Sequence, residues 1–145
     1  MNKVLALGSD HAGYELKEFL KTYLSEKGFE VIDFGTESDK SVDYPDFAHP
    51  LAKAVNDAEI ETGILICGSG NGVSIVANKY PHVRAALCWM GELAELARRH
   101  NNANILTLPA RFISFEESIK IVDLFLSTPF EGGRHQTRID KISKN

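Results

Sequence analysis

Only two cysteines occur in the 145 residues, Cys67 and Cys88, and no Cys-x-x-Cys pair is present. That excludes a disulfide framework and fits a reduced, cytoplasmic protein. Long apolar runs are missing too. Nothing approaches the roughly 20 residues that a membrane span needs, and the first residues have no signal-peptide layout. Basic charge is in short supply: the net charge is −4, so no broad surface for nucleic acid is expected and any anion site must be local. Repeats, low-complexity tracts and linkers are absent, and we expect one domain over 1–145 with a real core. The common nucleotide signatures are lacking as well. No Lys-Ser/Thr pair closes a P-loop, and Val73 stands where GxGxxG needs its third glycine.

What is there centres on residues 62–74, TGILICGSGNGVS. A short apolar run, Ile64 to Ile66, reads as a buried strand. Three glycines follow (Gly68, Gly70, Gly72), and then the apolar start of a helix at Val73. The turn therefore lies at the carboxyl end of a strand, where open α/β sheets bind ligands. Backbone N–H groups and a helix N-terminus there favour an anion, and Cys67 sits at the hinge.

Elsewhere strands alternate with helices. Strands are expected over 3–8, 31–34, 84–87 and 104–108. A first helix carries Leu16, Phe19, Leu20, Tyr23 and Leu24 and closes at Gly28. A second carries Phe47, Ala48, Leu51, Ala52 and Val55, with a kink or late start expected from Pro50. A helix with Leu93, Leu96 and Ala97 places His100 on the face of Leu93, which predicts an inward-pointing imidazole. Ser114 and Glu117 form a capping box for the helix of Phe115, Ile119, Val122 and Leu126. The alternation predicts an α/β, Rossmann-like three-layer sandwich: a five-stranded parallel sheet with helices on both faces. All strand ends then share one edge; Asp10, His11, Cys67 and Cys88 all lie just past strand ends, so one cleft is expected to gather several of them.

Each candidate has a bland counterpart. Cys67 is either a small core residue or a thiolate favoured by the helix N-terminus, able to act as base or nucleophile. Cys88, without a glycine turn after it, reads as core. Asp10-His11 is a cap with a surface imidazole, or part of the cleft. His100 answers a helix dipole or relays protons. Arg134 and Arg138, four apart, are a solvated face or a two-arginine phosphate clamp that Arg111 could join. Cys67, Cys88, His11 and His100 are zinc-ligand types, but no pair has zinc-site spacing.

Taken together, these motifs resemble the ribose-5-phosphate isomerase B family, within the sugar-phosphate isomerases that include the galactose-6-phosphate isomerase subunits. The carriers are GSDHAG at 8–13, DYP at 43–45, ICGSGNG at 66–72, RAALC at 84–88, HNNAN at 100–104 and EGGRH at 131–135. The resemblance implies metal-free, cofactor-free interconversion of ribose 5-phosphate and ribulose 5-phosphate, a step of the pentose phosphate pathway. Cys67 would move the proton between C2 and C1, with Ser69 hydrogen-bonded near it. His100, with Asp10 nearby, would open the furanose ring. Asn101 and the backbone N–H groups of Gly68, Ser69, Gly70, Asn71 and Gly72 would hold the enediolate oxygens. His11, Arg111, Arg134 and Arg138 would hold the phosphate, and Tyr44 would line the pocket.

The resemblance further implies a homo-oligomer, dimer or tetramer, with both subunits building each site and a C-terminal arm over about 129–145 on the partner. One branch of the family uses a glutamate after the glycine turn as base. With Val73 there and Cys67 present, this sequence resembles the cysteine branch. Ser69 replaces a frequent threonine and keeps the hydroxyl. Trp89-Met90-Gly91 departs from the familiar pattern beside the pocket. Two rivals remain: the same chemistry on a six-carbon sugar phosphate such as allose or galactose 6-phosphate, and a non-catalytic sugar-phosphate binder. A thiol redox role is weakened by the lack of a nearby resolving cysteine.

Overall fold

The computed structural model describes residues 3–143; the outermost ends of the expected domain and of the expected C-terminal arm lie outside them. Five strands form one sheet: β1 Val4–Ser9, β2 Glu30–Asp33, β3 Thr62–Cys67, β4 Ala85–Leu87 and β5 Ile105–Pro109. Their order is β2-β1-β3-β5-β4 and every pairing is parallel. The helices are α1 Tyr14–Glu26, α2 Pro45–Asn56, α3 Asn71–Ala77, α4 Gly91–Asn101, α5 Phe115–Ser127 and α6 Arg134–Asp140, with a 3-10 turn at His11–Gly13. The expected architecture is the observed one.

Strand pleating sorts the core into two layers. Leu5, Leu7, Ile64, Ile66, Leu106 and Leu108 meet α1, α4 and α5, while Ala6, Leu65, Cys67 and Ile105 meet α2 and α3. Both faces are covered, which is why β1, β3 and β5 read as near-continuous apolar runs rather than alternating ones. α1 stops where expected: Gly28 adopts φ +92 and its N–H bonds to Ser25 O, while Phe29 N bonds to Leu24 O, a Schellman-type ending. The capping box at the start of α5 is present, with both Ser114–Glu117 bonds made.

Pro50 does not delay its helix. α2 begins at Pro45, which occupies its first turn, and continues through Pro50. Pro45 has no N–H to leave unsatisfied at that position, and Pro50 faces solvent while Leu51 and Ala52 carry the packing.

One buried charge was not anticipated. Lys17 is fully buried, on the same α1 face as Leu20 and Leu24. Its Nζ donates to both oxygens of Asp33, at 2.9 and 2.8 Å, and to Glu18 at 2.7 Å. Asp33 in turn accepts from Gly35 N at 2.8 Å and from Lys21 Nζ at 2.9 Å. Gly35 O takes a bond from Ser9 N, and Thr36 N bonds back to Ser9 O, both at 2.7 Å. The pair thus fastens the exit of β2 to the end of β1, one residue before Asp10.

Candidate active site

The sheet reverses its winding between β1 and β3, and their carboxyl ends bracket the crevice in which such sheets bind ligands. Asp10 follows β1 and Cys67 ends β3. Backbone bonds lock the neighbourhood: Asp10 N to Ile66 O at 3.3 Å, Ala110 N to Cys67 O at 2.9 Å and Arg111 N to Gly68 O at 3.0 Å. Asp10 is buried, and its Oδ1 accepts from Gly13 N at 3.1 Å, so it caps the turn that carries His11. His11 Nδ1 accepts from Val42 N at 3.1 Å, which leaves the ring proton on Nε2.

Cys67 is buried and its Sγ accepts the Gly70 N–H at 3.2 Å. Gly70 itself is the N-cap of α3, at φ +77. Ser74 Oγ donates to Gly70 O at 2.7 Å and is also bonded to the buried Thr107 hydroxyl. Since the Ser74 proton is committed to Gly70 O, Thr107 is the donor of that second bond. Ser69 is exposed, and its Oγ accepts from Asn71 N at 3.3 Å. The Tyr44 ring lies over Gly72, where a Cβ would fall 2.6 Å from it, and the Arg111 guanidinium lies across Gly68, where a Cβ would meet Nη1 at 3.0 Å.

Replacing Gly70 by alanine should be costly. A Cβ there would fall 2.3 Å from Leu87 Cδ1 and 3.3 Å from the backbone of Leu108 and Pro109, on top of the penalty for an L-residue at positive φ. We expect a loss of about 2 kcal/mol or more in urea unfolding, with a shifted N–H at Cys67. Wild-type stability in Gly70→Ala would show that the turn is slack.

The other predicted residues lie elsewhere. α4 starts at the carboxyl edge and runs back, so His100 and Asn101 emerge at the opposite edge. Arg84 Nε, just before β4, bonds to Asn101 O at 3.2 Å, and Gly63 N bonds to Asn104 O at 3.0 Å. The register pairs Cys67 with Pro109 at one edge and Gly63 with Ile105 at the other, about 13 Å apart along the strands. Within one chain, then, Asp10, His11, Tyr44, Cys67, residues 68–72 and Arg111 gather at the carboxyl edge. His100, Asn101 and Arg138 share a separate concavity with His135, Ile139 and Ile142; Arg134 starts the same helix, α6, as an exposed residue. Asp10 is not near His100 in the same chain.

His100 also departs from its expected inward direction. Its side chain is 41% exposed, and it stacks on His135 with ring centroids 4.3 Å apart. The face is the expected one, since seven residues return nearly to Leu93. However, Leu93 is itself only half-buried, and Ala94 and Ala97 are the α4 residues that fill the core. Cys88 is core, as expected; burial pushes its thiol up to about 12. The four zinc-ligand types are scattered. Cys67 and Cys88 belong to opposite layers, and His100 to the far edge. Lys17 was not singled out in the sequence, and Glu131 and His135 entered only as part of the 131–135 motif without a role; a lysine at the i−3 and i−7 positions of Leu20 and Leu24 is the signal that marks the first.

A doubly wound parallel sheet with a buried thiol and a glycine-led helix start at its switch point is a small-molecule site of the anion-binding α/β class. Comparison with known proteins narrows this. The family model described as Ribose/Galactose Isomerase matches residues 5–142, and the chain belongs to that family. It is 45% identical over 141 residues to ribose-5-phosphate isomerase B of Escherichia coli, covering 97% of this chain and 95% of that protein. A ribose 5-phosphate isomerase structure from Thermotoga maritima superposes with TM-score 0.96 at 55% identity, covering 98% of both chains. Ribose-5-phosphate isomerase B from Mycoplasma genitalium, solved with bound ribulose-5-phosphate, gives TM-score 0.92 at 49% identity, covering 96% of this chain and 93% of that one. Among the described residues no helix is long and apolar enough to cross a membrane.

Proposed function

We propose that this chain interconverts ribose 5-phosphate and ribulose 5-phosphate through an enediolate, as a cytoplasmic enzyme of pentose phosphate metabolism. The observation that carries the reading is Cys67 Sγ held against Gly70 N–H at the switch point, in a chain whose relatives are named for that reaction. In the aldose-to-ketose direction, the thiolate takes the C2 proton of the open-chain sugar and the electron pair moves onto the C1 carbonyl oxygen as the C1–C2 double bond forms. The thiol returns the proton to C1. The proton on the C2 hydroxyl is transferred to O1, which leaves the carbonyl at C2. The backbone N–H groups of residues 68–72 that are not engaged by Cys67 Sγ or Ser69 Oγ, together with Asn101, stabilise the charge on these oxygens.

The split between the two sheet edges supports a site built by two copies. One supplies Asp10, His11, Tyr44, Cys67, the glycine turn and Arg111. The second supplies His100 for ring opening, Asn101, and Arg134 and Arg138, which join His11 and Arg111 on the phosphate. Burying the remote phosphate fixes the sugar while the proton moves. The arm beginning near residue 129 carries the two α6 arginines of this set, and we place it on the partner.

The test is turnover of ribose 5-phosphate in the presence of a chelator, beside allose 6-phosphate and galactose 6-phosphate. The pentose should be turned over fastest. A six-carbon sugar ahead by a wide margin overturns the substrate; binding without turnover of any sugar overturns the enzyme.

A further inference from the structure

At the edge away from Cys67, the last turn of α4, the approach to α6 and the first turn of α6 bring His100, Glu131 and His135 together. One ligand-capable atom from each lies within 4.8 Å of the other two. We propose that these three side chains form a binding site for a divalent transition-metal ion of the zinc type. Two imidazoles and one carboxylate are a recurrent zinc donor set with three protein ligands and one open position.

The cluster is built rather than accidental. Glu131 N donates to Arg99 O at 3.0 Å, which pins the glutamate to the end of α4. His135 is 8% exposed, and its Nε2 is buried without a hydrogen bond. That atom points at the carboxylate, 3.4 Å from Glu131 Oε1. His100 Nε2 lies 3.9 Å from Glu131 Oε2. Ligand atoms bonded to zinc at their usual lengths sit about 3.3 Å apart; the two contacts run to different carboxylate oxygens, so the exposed Glu131 must turn, or bind through both oxygens, to bring the histidines onto one ion. The imidazoles are stacked nearly parallel, at 12°, so their in-plane lone pairs do not converge, and the half-exposed His100 must swing out of the stack to join an ion held by His135 and Glu131.

Two cations face the same spot. Arg99 Nε is 3.4 Å from Glu131 Oε2 while its Nη2 holds Glu95 at 2.6 Å, and Arg138 lines the concavity. They lower the affinity for a bare dication and favour an anion in the open position. The site is therefore one that sequesters His100, not one that supplies a cofactor. That consequence rests on the ring-opening role given to His100 above; the binding itself does not.

The experiment is a Zn2+ titration of the whole protein against a competing chromophoric chelator, for wild type, Glu131→Gln, His135→Ala and Cys67→Ala. Wild type and Cys67→Ala should bind one ion per chain. Glu131→Gln and His135→Ala should each weaken binding by at least tenfold to a hundredfold, on the order of what even supporting residues contribute to metal affinity. No binding by wild type, unchanged affinity in either ligand variant, or loss of the ion in Cys67→Ala, which would place it on the thiolate, overturns the site. Isomerisation measured in parallel separates the two readings. An ion bound at this cluster with turnover untouched leaves the site standing and removes His100 from ring opening.

Discussion

Cys67→Ala should lower turnover of ribose 5-phosphate by on the order of a hundredfold to ten-thousandfold, the range a positioned general base contributes, while the protein stays folded. Cys67 is a small residue, so its loss removes one sulfur from the layer under α2 and α3 and leaves the Gly70 N–H without its acceptor. Cys67→Ser refines the point. It keeps a hydrogen-bonding atom of similar size, but an alcohol is far too weak an acid to give a useful alkoxide. Serine should restore shape without restoring rate. The same variant tests the division of the site between copies. If each site takes Cys67 from one chain and His100 from another, mixing Cys67→Ala with His100→Ala gives hybrid dimers with one intact site. Random exchange of dimers should then recover about a quarter of the wild-type rate from two nearly inactive preparations. Turnover that survives Cys67→Ala keeps the isomerase and removes the thiolate as base. No recovery on mixing confines each site to one chain.

The layers were legible because burial leaves a direct imprint. β1, β3 and β5 carry apolar runs, and the helices between them carry 3.6-residue stripes closed by Gly28 or opened by Ser114. The gathering of Asp10 and Cys67 at the switch point was legible for a related reason. Every strand end of a parallel sheet shares one edge, so Asp10 and Cys67 had to come together once the strands were placed. The placement of His100 was not. His100 lies near the end of a helix that runs back along the sheet, and periodicity gives its face but not its edge or its partner. The stack on His135 depends on how α6 returns past α4, a contact between positions 35 residues apart with no local pattern to announce it. Lys17 escaped for the opposite reason. It occupies an apolar stripe, where a lysine is normally taken as a boundary, and its counter-charge is 16 residues away on a different element.

That buried lysine leads to the largest expected effect on stability. Asp33→Ala should cost about 3 kcal/mol, the low end of the range for removing one partner of a buried ion pair, since Asp33 is partly exposed and Lys17 keeps Glu18. Lys17 would stay fully buried with only Glu18 within bonding distance, and Gly35 would lose its acceptor at the point where β2 leaves the sheet. The penalty falls on the loop that holds Val42 against His11 and Tyr44 over Gly72, so activity should drop with stability. The pH dependence has a definite sign. Burial pushes the Asp33 carboxyl up, yet the bonds from Lys17, Gly35 and Lys21 outweigh it and hold the group below its ordinary value. A carboxylate depressed on folding stabilises fully above its unfolded value, near about 4, and loses that contribution as the pH falls through its folded value. Urea unfolding from pH 7 downward should therefore show wild type losing stability in that acid window and Asp33→Ala, already lower at pH 7, losing less. Lys21→Ala removes only a surface partner and should cost under about 1 kcal/mol. Pairing Asp33→Ala with Lys17→Met should recover part of the loss, because no uncompensated charge then remains in the core. A single Asp33→Ala as stable as wild type would mean that water reaches Lys17 and that the fastening of β2 to β1 does not depend on this pair.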